Sequence, residues 1–491
     1  MPLQYTKKIP TTSPSPFTTT LRMSSSTKLT VVERRLISPP SRSVTAASLP
    51  LTFLDIPWLL FSPGQPLFFY DFPVSTAEFR ETILPNLETA LSLTLQHFFP
   101  LAGKLVTPPL SSVPPRLEYT GDDSIMLTIA EATAADAGDF KNLTGNHPKL
   151  ARYLKGLVPV LWSTGVGSKQ PLLAVQITVF PEAGVCMGFA LRHVVADGRT
   201  FNNFLRTWGE LSKTGGVWGV DGSVTFHDRA VIKDPGGLES TLLKDWSNMK
   251  NSQKMEGINE ANGLKHDFTR ATFVLRPHEM EKIKTWILTR SGMLFGSAQL
   301  LLSPYVLTCA FIWACWMKTH QFTCEDIDSG EIVHYFGFIA GGITRLHYTV
   351  PNTYVGNLVG FGRSSATRKE LMGENGVVYA AKAIGDTIKK LNGDMLGGAK
   401  NWISEWKVIH ESELHVMVTG SPKLGVYGLD FGWGRPVKIE EVSIDTTGAI
   451  SLCEGRQVVG AIEIGLALPR SKMDVFSTLF IKGMNSFDIH C

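Results

Sequence analysis

The 491 residues carry 47 Lys and Arg against 44 Asp and Glu, a formal net charge of +3 with no long basic run, which argues against a nucleic-acid partner. A hydrophobic content of 43% with 19% charged residues fits an ordinary globular protein, long enough that two domains are expected. The six cysteines (186, 309, 315, 324, 453 and 491) lie scattered, without CxxC spacing or a companion histidine cluster, which favours a reducing compartment and speaks against a zinc site.

The first 22 residues are rich in Ser, Thr and Pro, carry Lys7, Lys8 and Arg22, and contain no acid. That composition suits a transit peptide. The blander reading, and the one favoured here, is a disordered extension, bounded at 1–27, or a start at Met23. The absence of an apolar h-region gives secretion no support. Pro85 to Leu101 reads as an amphipathic helix. Leu172 to Phe180 and Val185 to Leu191 are apolar runs joined by Pro181-Glu-Ala-Gly184, the pattern of a hairpin. In the second run Val185, Met187, Phe189, Leu191 and His193 share one parity and so one sheet face. After Asp197-Gly198 the period turns helical, with Phe201, Phe204, Leu205, Trp208 and Leu211 on one stripe.

Gly215 to Gly237 is glycine-dense and contains Pro235, so 215–240 is expected to link an N-terminal domain, 28–214, to a C-terminal one, 241–491. Helices are expected at Pro277 to Thr289 and Gly376 to Asn392. Strands are expected at His334 to Ile339, Leu414 to Thr419, Pro436 to Val442 and Val458 to Leu466. Ser297 to Trp316 is as long as a membrane span, but Gln299, Ser303, Pro304 and Thr308 make it a buried helix. The sum is an α/β protein of two domains with mixed sheets.

His193-Val-Val-Ala-Asp197-Gly198 delivers an imidazole to a strand–loop–helix junction with a carboxylate four residues on. Taken alone, it fits either a general base or a strand-end histidine followed by a helix-capping aspartate. Far downstream stands Asp430-Phe431-Gly432-Trp433-Gly434. The pair, in this order, resembles the HxxxDG and DFGWG signatures of the BAHD family of plant coenzyme-A-dependent acyltransferases. Leu51-Thr-Phe-Leu-Asp55-Ile-Pro-Trp58, Leu67-Phe-Phe-Tyr-Asp71, His97-Phe-Phe-Pro-Leu-Ala-Gly-Lys104, Tyr354-Val-Gly-Asn357 and Leu468-Pro-Arg-Ser-Lys-Met473 resemble further family blocks. The Ile56-Pro-Trp58 and Tyr-x-Gly-Asn segments look most like the branch that acylates anthocyanins and other phenolic glucosides.

The resemblance implies two chloramphenicol-acetyltransferase-like domains with an active-site channel at their interface. Acyl-CoA would enter from one face and the acceptor from the other. It implies no bound cofactor and no metal, with acyl-CoA (malonyl or hydroxycinnamoyl) as co-substrate. The expected setting is a cytoplasmic monomer free of membranes, with plastid the alternative if residues 1–22 are a targeting signal.

An imidazole suits removal of a hydroxyl proton at neutral pH, and His193 is the expected base; no Gly-x-Ser-x-Gly elbow points to a covalent acyl-enzyme. By resemblance, Asp197 is structural or orienting, Asp430 is a wall-bracing carboxylate or a second acid or base, and Gly198, Phe431, Gly432, Trp433 and Gly434 shape the motifs. By the same resemblance Thr419 is a candidate oxyanion donor, and Ser303 and Thr308 are candidate coenzyme contacts. Arg199 is either the receiver of a malonyl carboxylate or a solvent-facing arginine at a helix start.

Three departures from the family pattern stand out. Arg192 replaces a histidine before His193 and should face away from it. Val355 and Leu358 replace an aromatic and a thiol in the Tyr-x-Gly-Asn block. Glycines replace the usual Asp-x-Arg, leaving Arg345 as a displaced partner for Asp197 or that partner missing. The alternatives within the reading are an amine or simple alcohol acceptor, or a non-catalytic relative that binds a phenolic ligand.

Overall fold

The computed structural model describes residues 29–487 apart from 109–112, 133–138, 162–168, 218–223, 235, 252–267, 321–331 and 412–414. The N-terminal extension, parts of the expected linker and Leu414 therefore lie outside the described residues.

Among the described residues three sheets form the frame. The first has six strands in the order Leu29–Ile37, Ile125–Ala132, Leu173–Phe180, Gly184–Leu191, Pro66–Tyr70 and Lys438–Glu441. The second has seven, in the order Val359–Thr367, Val333–Gly341, His415–Gly420, Ile450–Glu454, Ile462–Pro469, Phe268–Leu275 and Lys149–Leu150. A four-stranded sheet completes them. Both large sheets are mixed: Ile125–Ala132 runs parallel to Leu173–Phe180, and His415–Gly420 runs parallel to both neighbours.

The expected hairpin pairs antiparallel, Gly184 opposite Phe180. Both faces of Gly184–Leu191 are buried, and the parity holds. Val185, Met187, Phe189 and Leu191 join the larger N-terminal core, while Cys186 packs in a satellite cluster on the other face. The helix after it spans Gly198–Lys213 and buries Phe201, Phe204, Leu205, Trp208 and Leu211, the anticipated stripe. Asp197 is its N-cap, accepting from Thr200 N at 2.8 Å. The apolar run near residue 300 becomes the helix Pro304–Thr319, buried in the C-terminal core, and no described helix is long and apolar enough to cross a membrane.

The two halves exchange strands. Lys438–Glu441 from late in the chain pairs with Pro66–Tyr70, and Lys149–Leu150 from the first half pairs with Phe268–Leu275. The N-terminal core also takes in Tyr354, Leu358, Trp402, Leu429 and Phe431. The larger core thus draws on residues from both sides of 215–240. At the crossing, a buried ion cluster welds the halves: Glu440 meets Lys149 at 3.0 Å and Arg270 at 3.1 Å. Burial raises Glu440, but Lys149, Lys438 and Arg270 outweigh it and hold the carboxyl at about 2.

Candidate active site

His193 stands two residues beyond its strand, where the chain turns toward the helix cap at Asp197. It lines a chamber of about 350 Å³ whose walls come from both halves, among them Arg199, Leu424, Thr419, Ser421 and Cys453. Trp58 stacks on the imidazole at 3.5 Å between centroids and 15° between planes. That contact fixes the ring plane and strips water from one face. Burial consequently pushes the His193 pKa down to about 4, against weaker opposing pulls from Asp197 and Asn357. The imidazole is neutral at physiological pH.

The second nitrogen is defined by Asn357. Its Oδ1 lies 3.0 Å from His193 Nδ1. Its Nδ2 is held by acceptors: Asp55 Oδ1 at 2.8 Å, His193 O at 3.0 Å and Val194 O at 3.3 Å. A flipped amide would set its oxygen against all three, so the network assigns Oδ1 to the ring and the proton to Nδ1. Nε2 is left as the basic nitrogen.

Asp55 in turn is fully buried and accepts from Thr52 N, Thr52 Oγ1 and Arg229 Nη1 at 2.9, 2.8 and 3.0 Å. Arg229 also donates to Tyr354 Oη at 2.9 Å. This chain runs through three distant segments, and Gly356 is small because a Cβ there would sit 2.5 Å from Arg229 Nη1. Asp55, Trp58, Arg229 and Asn357 were assigned no role on sequence. A signal existed for two of them: Asp55 is the one charged residue of the block 51–58, Asn357 stands between Val355-Gly356 and Leu358-Val359, and a buried polar group needs partners.

Asp197 is brought near His193 but does not orient its ring. Its Oδ1 caps the helix, and its Oδ2 accepts from Leu358 N at 2.9 Å, clipping the 354–358 loop to the helix start. The displaced-arginine expectation is not met, since Arg345 binds Asn392 Oδ1 and Gly341 O. Arg199 Nε comes no closer to Asp197 than 4.0 Å. Arg199 lines the chamber, yet its terminal nitrogens donate to Asn352 O, Tyr354 O and Thr200 Oγ1 at 2.6, 2.8 and 3.2 Å. It staples the same loop and is not solvent-facing.

Thr419 lies on the chamber wall beside Gly420. Ser303 and Thr308 do not reach the chamber. Ser303 caps the helix Pro304–Thr319, and Thr308 is fully buried among apolar side chains of the C-terminal core. The run that looked suited to coenzyme contact is drawn inward because nearly every position in that helix is buried.

The Asp430 motif is also away from the chamber. Asp430 Oδ1 accepts from Gly432 N and Gly434 N at 2.8 and 3.0 Å, folding the motif into a tight turn. Gly432 and Gly434 have φ of 99° and 87°, a region L-residues avoid. Trp433 packs on Tyr70, Phe72 and Phe79, and Phe431 on Trp208. Gly209 permits the helix to approach, since a Cβ there would meet Asp430 O at 2.5 Å. The motif anchors the crossing strand that follows it. Gly198 is exposed at the chamber edge and opens the helix after its cap.

Fold and site together describe a two-lobed protein with a neutral, oriented histidine in a chamber between the lobes. A family model described as Transferase family matches residues 27–481, and the chain belongs to that family, the BAHD acyltransferases that its motifs resemble. It is 37% identical to the coumaroyl-CoA:anthocyanidin 3-O-glucoside-6''-O-coumaroyltransferase 2 of Arabidopsis thaliana, over 93% of this chain and 98% of that one. Identity to the malonyl-coenzyme A:anthocyanin 3-O-glucoside-6''-O-malonyltransferase of Dahlia pinnata is 35%, with 93% and 98% covered. Among solved structures, vinorine synthase superposes with a TM-score of 0.63 at 17% identity, covering 91% of this chain and 96% of that one. F. sporotrichioides TRI101, complexed with coenzyme A and T-2, gives 0.59 at 14% identity, covering 87% and 96%.

Proposed function

We propose that this protein transfers an acyl group from an acyl-CoA thioester to a hydroxyl of a phenolic or flavonoid glucoside, with His193 as general base. The observation that carries the mechanism is the ring's environment. Asn357 holds the proton on Nδ1, burial keeps the imidazole neutral, and Nε2 is the remaining basic site on a chamber-lining residue. Nε2 takes the acceptor proton as oxygen attacks the thioester carbonyl. It returns that proton to the departing coenzyme A thiolate, so no covalent enzyme intermediate is needed. Thr419 is the candidate donor to the oxyanion.

The state of Arg199 favours a hydroxycinnamoyl donor over malonyl. A guanidinium receives a carboxylate best through two free parallel N–H bonds, and here both terminal nitrogens already serve main-chain carbonyls. The chamber is otherwise walled largely by apolar groups such as Phe68, Leu191, Phe201 and Leu424. Cys186, Cys309 and Cys315, free and buried, suit a reducing cytoplasm, and a monomer is the assembly proposed.

Free-thiol release by purified protein, offered p-coumaroyl-CoA or malonyl-CoA with a panel of flavonoid and phenolic glucosides, tests the proposal. Acceptor-dependent release should fall by about 10²–10⁴-fold in His193→Ala, the usual worth of a general base. The p-coumaroyl donor should show the higher kcat/KM. A preference for malonyl-CoA would return Arg199 to donor recognition, and unchanged turnover in His193→Ala would remove the mechanism.

A further inference from the structure

A second cavity, of about 360 Å³, lies on the far side of Trp58 and plays no part in the chemistry above. Trp58, Phe61 and Trp246 supply aromatic walls, and Arg192 and Lys250 supply two cations. No Asp or Glu lines it among the described residues. Arg192 is half-buried, and its Nε donates to Pro171 O at 3.1 Å. Its two terminal nitrogens meet no carboxylate among the described residues, and burial lowers its pKa from the ordinary arginine value. Lys250 Nζ stands 5.3 Å over the Trp246 ring, again without an anionic partner among the described residues.

A half-buried guanidinium that lines a cavity without a counter-ion among the described residues is a good anion receptor. We propose that this cavity binds an aromatic anion, its ring among Trp58, Phe61 and Trp246 and its carboxylate or phenolate on Arg192, with Lys250 as the second charge. The same field repels a cationic ring system. Trp58 connects the cavity to the chemistry, because the indole that lines it is stacked on His193. Two ligands share this chemistry: an anionic aglycone of the acceptor, and free hydroxycinnamate. The first rests on the acyl-transfer reading; the second does not.

Calorimetric titration with p-coumarate and with its uncharged methyl ester tests the site without any turnover. The anion should bind about tenfold or more tightly than the ester, the scale of one charge-assisted hydrogen bond. Arg192→Gln should abolish that gap, Arg192→Lys should retain most of it, and Lys250→Gln, at an exposed position, should narrow it. Equal binding of anion and ester, or a gap unchanged in Arg192→Gln, would overturn the proposal. In turnover assays, competition between p-coumarate and the glucoside acceptor would identify the site as the aglycone's. Retained binding without competition would identify a separate site for the free acid. Protein that binds p-coumarate but transfers no acyl group would sink the proposed function and leave this site standing.

Discussion

The two signature segments of this chain are both intact, both sit against the N-terminal core, and both contain an aspartate and a glycine. They do different work. The segment from His193 to Gly198 turns an imidazole into the chamber and clips the opposing 354–358 loop in place. The segment from Asp430 to Gly434 closes its carboxylate onto its own amides and presses Phe431 and Trp433 into the core. A signature motif can therefore serve the fold while lying away from the chamber. The distinction lies in where the side chains are spent: His193 lines a cavity, and Asp430 Oδ1 is taken up by the amides of its own turn.

The comparison can be broken most severely at Asn357. Asn357→Ala removes the ring's partner and one donor to buried Asp55. It should lower kcat by about ten- to a hundredfold, short of the loss expected for His193→Ala, and cost about 1–3 kcal/mol of stability. Its pH profile gives a readout that simple loosening does not: the Asn357 hydrogen bond pulls the His193 pKa up against burial, so its loss with Trp58 still stacked on the ring should move the acid limb to lower pH.

In the unaltered protein the acid limb of kcat/KM should lie near pH 4, where burial places His193. A limb near 6.5 would contradict the desolvated ring. His227 is also pushed down to about 4, by burial. Both rings stay neutral in the fold while the unfolded chain titrates near 6.5. The unfolded state thus binds more protons between these values. Stability is full above about 6.5 and declines as the pH falls toward 4, which urea midpoints across that range will show.

The smallest effect belongs to Asp430→Asn. The amide oxygen can still accept from Gly432 and Gly434, so kcat should stay within about threefold of the parent. Asp430→Ala should instead lower the melting temperature, through about 1–2 kcal/mol of lost turn hydrogen bonds. A kcat loss of a hundredfold in Asp430→Asn at unchanged melting temperature would show that the carboxylate acts in the chemistry, and the contrast between the motifs would collapse.

Much of the frame was legible from local pattern. The hairpin of 172–191 and the helix after Asp197 follow from periodicity over a few residues, and the helices at 277 and 376 were found with ends displaced by a turn or less, save the first, which continues to Phe295. The parity of Val185, Met187, Phe189 and Leu191 was legible because alternation along one strand is a local property. The interlocked cores were not legible, because pairing Lys438–Glu441 with Pro66–Tyr70 joins segments remote in sequence. Thr308 shows a related limit: a polar residue in an apolar helix has no local mark telling whether its side faces a core or a cavity, and here it faces the core.

Composition, periodicity and the two motifs are short-range information, and from them came the α/β class, the family and the candidate base, His193. The protonation of that histidine is decided elsewhere. Trp58, Asp55, Arg229 and Asn357 come from three distant stretches of chain, and only their convergence in space desolvates the ring and selects its basic nitrogen. Desolvation and hydrogen-bond direction depend on what surrounds an atom in three dimensions, and no window of sequence contains that.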